Sequence, residues 1–395
     1  MMPQRAAAAL QRLQRTGTDS RGPLLVKSSL APAAPRMQRN LLPAICDVSV
    51  TNVCNAACDF CGFARGKNLG GPRRYIDVAE FARALPILRR RRVRYMTFQG
   101  GEPLVHPGIT ALVRAATEAG VRCGLITNGW FLPEQIEALA DAGLHRLLVS
   151  IDSDSMSKHD DNRGLEGLHR RIAAGVARAR TLGIPASASV TVSRLLDFEA
   201  LPEALEQLGF RAVTFSYPRR EPFGSSSLVY SEESRLIDQQ PQELLEALAA
   251  IQRMKKRFPV LNPAMSLAEV ARSIRGEKQL IPCIGGRKYF YLDWNLDIWR
   301  CEAWKEPLGS VFDLDKFEDQ RDACFACTMS CYRNASALMH GAIAVTDTAQ
   351  SLARGDFPRA ARSLRQGGVA RSLWALAAEH YPRLVLRSRR RAAVQ

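Results

Sequence analysis

Six short β-branched or apolar runs, each followed by a helical pattern, occupy residues 45–217 and predict an α/β protein with a parallel sheet. A partial barrel of six βα units, a (β/α)6 TIM-type arrangement, is the compact way to close such a sheet. Two groups of cysteines, at 54–61 and 283–331, add a small cysteine-rich subdomain after the barrel. An Arg-rich helical pattern then completes the chain as a basic tail.

The elements follow in order. Residues 1–44 are rich in Ala, Arg and Pro, with one amphipathic stretch at Ala6–Leu13, and read as a loosely held arm. In the barrel the expected strands are Val48–Thr51 (within a run from Asp47), Tyr95–Phe98, Cys123–Thr127, Leu147–Ile151, Ala186–Val192 and Ala212–Phe215. Amphipathic Ile109–Ala119 and Pro133–Ala142 end at Gly120 and Gly143, as helices with left-handed C-caps do. Residues 218–280 form a polar, helix-rich connection, with Glu233–Lys256 as its long helix. In 281–335, Cys283 and Cys301 flank an alternating aromatic stretch around Asp293, Trp294 and Asn295 that predicts a β-hairpin. Cys324, Cys327 and Cys331 follow, and residues 336–395 are helical and very basic.

Composition narrows the function. The chain has 395 residues, a formal net charge of +16 and no apolar run long enough to span a membrane. Its N-terminus lacks a sustained apolar region, so a cytoplasmic protein is expected. Ten cysteines are too sparse for a disulfide scaffold, and clustered cysteines in the cytosol bind metal or do chemistry. The positive charge suits nucleic acid, anionic lipid or phosphorylated substrates.

Cys54, Cys58 and Cys61 stand alone, with no histidine or fourth cysteine beside them. A structural zinc site wants four protein ligands, whereas a [4Fe–4S] cluster held by three thiolates keeps one iron open for a chelating ligand. Beyond the second expected strand, the run Gly100, Gly101, Glu102, Pro103 allows close backbone approach, and Glu102 can accept hydrogen bonds from an ammonium group.

The Cys54-x3-Cys58-x2-Cys61 loop, with Phe60 before its last cysteine, resembles the signature of the radical S-adenosylmethionine (SAM) superfamily. That resemblance implies a partial barrel, a SAM-binding [4Fe–4S] cluster, a reductase or flavodoxin- or ferredoxin-type electron donor, and cleavage of SAM to a 5′-deoxyadenosyl radical. It also matches Gly100–Pro103 to the SAM amino group. Asn128, Ser150, Asp152 and Thr191 at strand ends are candidates for ribose or substrate contacts, or strand-end caps. Arg163 either orients the site or pairs with Asp160, and Arg194 either meets the SAM carboxylate or is a solvated loop residue.

The second module resembles the SPASM and twitch subdomains of that superfamily. Cys283, Cys301, Cys324 and one of Cys327 or Cys331 would ligate an auxiliary [4Fe–4S] cluster; a zinc ribbon suits the same spacing. The stretches from Cys283 to Trp304 and Cys324 to Thr348 further resemble the hopanoid enzymes of the adenosylhopane synthase type. This implies an apolar lipid, isoprenoid or related natural-product substrate. Adenosyl addition needs a hydrogen source, and where those enzymes are expected to carry a cysteine this chain has Ile126, with Cys123 on the opposite strand face. Hydrogen abstraction is therefore the broader expectation. Residues 357–391 interleave apolar side chains with nine arginines, which suits peripheral attachment to an anionic membrane, a solvated helical tail or a nucleic-acid arm. Two alternatives stand beside this reading: a SPASM-type maturase or dehydrogenase acting on a peptide or small molecule, and a zinc-binding nucleic-acid protein. No base-stacking platform supports the latter, so no nucleic-acid partner is expected.

Overall fold

The computed structural model describes residues 40–67, 71–218, 225–230 and 234–379. The Ala6–Leu13 stretch and the last sixteen residues lie outside the described residues. The barrel alternates β1 (Ala44–Thr51), α1 (Val78–Arg90), β2 (Val93–Gly100), α2 (Ile109–Glu118), β3 (Arg122–Thr127), α3 (Leu132–Asp141) and β4 (Arg146–Ile151). It continues through α4 (Met156–Arg163), α5 (Leu168–Thr181), β5 (Ala186–Thr191), α6 (Leu201–Gln207) and β6 (Val213–Ser216). All six expected strands are present, each paired in parallel with the next. Gly120 and Gly143 close α2 and α3 with φ of +74° and +88°.

Alternation along the strands separates two faces. Val48, Phe98, Leu125, Val149, Val190 and Phe215 are fully buried beneath the helices, with Phe98 edge-on to Phe81 of α1. The intervening residues face the barrel lumen, where Tyr289 reaches Asp47, Tyr291 reaches Ser49 and Arg146 reaches Thr97. Cys46 and Cys123 are buried on the helix side.

After the barrel come α7 (Pro241–Met254) and α8 (Ala264–Ile274). The expected helix over 233–256 begins only at Pro241. Gln240 and Glu243 form a capping box there, and Pro241 occupies the first turn, where its missing N–H costs nothing. The hairpin is present as β7 (Tyr289–Leu292) antiparallel to β8 (Asp297–Trp299), with β9 (Gly309–Ser310) beyond. Its β7 pairs in parallel with β1, so the order is β6-β5-β4-β3-β2-β1-β7-β8-β9 and the cysteine-rich segment extends the barrel sheet. The long α9 (Ser330–Leu352) starts beside Cys331, and α10 (Phe357–Leu364) and α11 (Val369–Ala378) pack on it. No helix among the described residues is long and apolar enough to cross a membrane.

Candidate active site

Every strand-end residue singled out from the sequence lies at the carboxyl edge of the sheet. The cysteine loop leaves β1 and is tied down on several sides. Asn52 binds the Pro72 carbonyl and the Arg74 N–H at 2.8 and 2.7 Å, Ala57 N–H donates to the Arg163 carbonyl (2.8 Å), and Asn128 donates to Asn55 (2.8 Å). Phe60 is buried, 5.9 Å from the Tyr230 ring. Cys54, Cys58 and Cys61 are free thiols gathered into one space, where each would repel the others' negative charge. Burial, and for Cys54 also Glu102, pushes their ionisation up, that of Cys58 to about 12 despite the pull of Arg163. Three neutral thiols packed this way suit a metal cluster whose positive charge removes their protons.

The Gly100–Pro103 turn differs from the sequence expectation. A Cβ on Gly101 would stand 2.2 Å from the Val53 carbonyl oxygen, and one on Gly100 would stand 2.5 Å from that of Thr51. The glycines therefore admit the chain's own cysteine loop. Glu102 is buried and accepts hydrogen bonds from Thr127 Oγ1 (2.6 Å), Asn128 N–H (2.7 Å) and Leu104 N–H (3.0 Å). It clamps the turn to β3, and Pro103 starts the short 3-10 turn that follows.

Arg163 pairs with Asp152, not Asp160. Its Nε and Nη2 lie 2.7 and 2.6 Å from the two carboxylate oxygens, and Asn162 adds a third bond. Burial works against the Asp152 charge, but Arg163 and His159 outweigh it and hold the carboxyl below its usual range. Asp160 instead binds His169 and the Gly167 N–H. The Asp152 carboxylate is largely engaged by Arg163 and Asn162, so within the chain Asp152 positions Arg163. Arg194 grips Glu243 at 2.6 and 2.9 Å and two carbonyls, tying its loop to α7, so neither a SAM carboxylate nor bare solvent is its partner. Thr191 shares a 2.9 Å hydrogen bond with Tyr230, and Ser150 faces the lumen half-buried. Tyr230 is the site residue that the sequence did not reveal. It takes φ +57° outside any periodic segment, between Phe60 and Thr191.

In the second module Cys283, Cys301, Cys324 and Cys327 form one electrostatic group. Burial and then Cys327 raise both Cys283 (to about 11) and Cys301 (to about 12), and Cys324 acts on both. Cys283 N–H donates to the Cys324 carbonyl at 2.8 Å, and Gln279 donates to that of Cys327 at 3.1 Å. Cys331 also feels Cys327, but less than it feels two carboxylates. Burial and the charges of Glu302 and Asp47 raise it, and its sulfur lies within 4.8 Å of a carboxylate oxygen of each.

Beneath the carboxyl edge, the lumen is polar. Its half-buried positions on β3 to β6 are Ile126, Leu148, Ser150, Ser187, Ser189, Thr191, Thr214 and Ser216, and buried Asp47 and Glu302 sit opposite. Burial together with Glu302 lifts the Asp47 carboxyl to about 7, while Gln99 and Ser227 donate to Glu302.

Residues 48–208 match the Radical SAM superfamily model. Similar curated proteins include an AdoMet-dependent heme synthase of Methanosarcina barkeri, 41% identical over 25% of this chain and 29% of the relative. A PqqA peptide cyclase of Ruegeria pomeroyi is 32% identical over 41% and 44% of the two chains, and a GTP 3',8-cyclase of Chlorobaculum tepidum is 36% identical over 27% and 32%. The chain thus spans less than half the length of these relatives. Among solved structures, Streptococcus suis SuiB bound to S-adenosylmethionine aligns with a TM-score of 0.53 at 13% identity, over 71% of this chain and 67% of that one. Native anSMEcpe with bound AdoMet aligns at 0.52 and 12% identity, over 88% and 99%. Both show the shared fold.

Proposed function

We propose that this chain is a radical SAM enzyme with two [4Fe–4S] clusters, which acts on a polar substrate in the barrel lumen. The observation that carries the reading is the three-thiol loop, pinned by Asn128 just after β3 and by the Arg163 carbonyl of α4 within the stretch that matches the radical SAM model. Cys54, Cys58 and Cys61 would hold the first cluster, which with one iron left unligated by the chain would supply one-electron cleavage of SAM, the electron coming from a flavodoxin- or ferredoxin-type donor. Cys283, Cys301, Cys324 and Cys327 would hold the second cluster with no open corner. That leaves Cys331 as a thiol facing Asp47 and Glu302.

The chain's own residues define the rest. Glu102, Asn128, Asp152 and Arg163 fix the loop, while Phe60, Tyr230 and Thr191 wall the carboxyl mouth. Serines, threonines and two carboxylates line the lumen and favour a substrate whose reacting end carries hydroxyl or amino groups. The maturase or small-molecule alternative fits this lining, and the names of the similar peptide and GTP cyclases fit it too. An apolar polycyclic isoprenoid draws no support from it.

Anaerobically reconstituted protein should convert SAM to 5′-deoxyadenosine and methionine when dithionite is added, and Cys58→Ala should abolish this. A colourless protein that retains zinc and leaves SAM intact would overturn the proposal.

A further inference from the structure

Helices α10 and α11 invert the usual sorting of side chains. Their buried residues are mostly small: Ala360, Ser363, Ser372 and Ala375, with Val369 the one larger apolar residue among them. Ser372 Oγ accepts the Gly341 N–H at 2.8 Å, and a Cβ on Gly341 would clash with Leu373 and the Val369 carbonyl, so α11 sits close on α9. The large apolar side chains point outward. Phe357 is 67% exposed, Trp374 64% and Leu364 52%, with Leu376 and, at the end of α9, Leu352 also exposed, while Leu373 is part-exposed with its Cγ against Gly341. Seven of the twelve exposed large apolar residues among the described residues fall between Val345 and Leu376. At 100° per residue, Phe357, Ala361 and Leu364 share one 60° arc of α10.

So many large exposed apolar residues within one short stretch of chain need a partner, because singly scattered ones are ordinary but a local concentration is not. Charge says which partner. Arg354, Arg362, Arg365 and Arg371 are exposed around the apolar residues, and Arg359 is half-buried. The two nearby acids are engaged, Asp356 capping α10 and Glu379 paired with Lys255. The sequence beyond Glu379 adds five arginines and no acid. Exposed apolar side chains interleaved with arginines, an exposed tryptophan among them, match the boundary of an anionic bilayer: apolar groups enter the acyl region and guanidinium groups meet phosphate.

We propose that α10 and α11 form a membrane-docking face that seats this protein peripherally on anionic lipid. The proposal is independent of the radical chemistry and holds whatever the lumen binds. Docking brings a substrate carried at a membrane surface near the enzyme without requiring that its reacting end be apolar.

The test is co-sedimentation of the full-length, cluster-loaded protein with vesicles of pure phosphatidylcholine and with vesicles containing phosphatidylglycerol, across a salt series. Binding to the anionic vesicles should be at least about tenfold tighter and should weaken with salt. Phe357→Ser and Trp374→Ser, singly and together, should each weaken it severalfold, and Arg362→Glu with Arg365→Glu should do the same. Because these side chains are exposed, the thermal midpoint should stay at the parental value, and the single variants serve if the double variant misfolds. No preference for anionic vesicles would overturn the proposal. So would binding unchanged in all the variants, or a self-associated state in ultracentrifugation that Trp374→Ser dissociates. Equal retention by an oligonucleotide, lost only in the arginine variants, would make the face a polyanion surface instead.

Discussion

At Asp152 the carboxylate holds Arg163, and the Arg163 carbonyl holds Ala57 between Cys54 and Cys58. Replacing Asp152 with Asn leaves a buried guanidinium without its counter-charge, a loss of about 3–5 kcal/mol for a broken buried pair. Denaturant unfolding of Asp152→Asn should show a fall of that order, with SAM cleavage reduced beyond what the remaining folded fraction explains. Glu102 follows similar logic. Its carboxylate accepts three hydrogen bonds, and a glutamine amide would present N–H groups to at least one donor. Glu102→Gln should therefore destabilise the fold by about 1–3 kcal/mol, in addition to any effect on SAM binding. Unchanged unfolding free energy would make the carboxylate a ligand group and not a clamp.

His159 beneath this pair sets a pH dependence. It is buried, its Nδ1 accepts the Asp152 N–H at 3.2 Å, and burial lowers its pKa to about 4 despite the Asp152 charge. Between about pH 6.5 and 4 the unfolded chain binds this proton and the folded one does not. Its contribution is therefore fully present above pH 6.5 and lost as pH falls through 4. His159→Gln should flatten the stability profile in that window by up to about 3 kcal/mol, measured by unfolding at pH 7 and pH 4.5. A parallel profile would remove His159 from the account.

At the level of elements, β1, the cysteine loop and the Gly100–Pro103 turn act as one unit because backbone meets backbone there. Gly101→Ala would drive a methyl into the Val53 carbonyl, which cannot move without shifting Cys54. It should cost about 3 kcal/mol and lower iron retention at the first site, read by iron content per folded chain. The strands were legible because period-two alternation marks them directly, and the cysteine spacings were legible as chemistry. What escaped was pairing across distance. Asp160 is nearer to Arg163 in sequence, yet α4 turns it towards His169 and leaves Asp152 to Arg163. Likewise β7 joins the free edge of β1, a choice no local pattern encodes. Tyr230 escaped because its left-handed backbone lies in a polar connection with no period to read. The start of α7 was legible in principle, since Gln240, Pro241 and Glu243 spell a helix entry.

Across the whole molecule, one sheet joins the two thiol groups. The first lies at the carboxyl mouth where a ligand can reach it. The second lies at the β7–β8 hairpin and the head of α9, and the lumen with Asp47, Glu302 and Cys331 lies between. This division is the central claim, and iron counting paired with SAM cleavage tests it. Wild-type protein reconstituted anaerobically should carry about eight iron atoms per chain, on four per cluster. A Cys54→Ala, Cys58→Ala, Cys61→Ala variant and a Cys283→Ala, Cys301→Ala variant should each carry about four. The first should make no 5′-deoxyadenosine, and the second should still cleave SAM slowly under dithionite. Cys331→Ala should keep the full iron complement. Equal iron in wild type and the hairpin variant, or SAM cleavage surviving in the triple variant, would contradict the account.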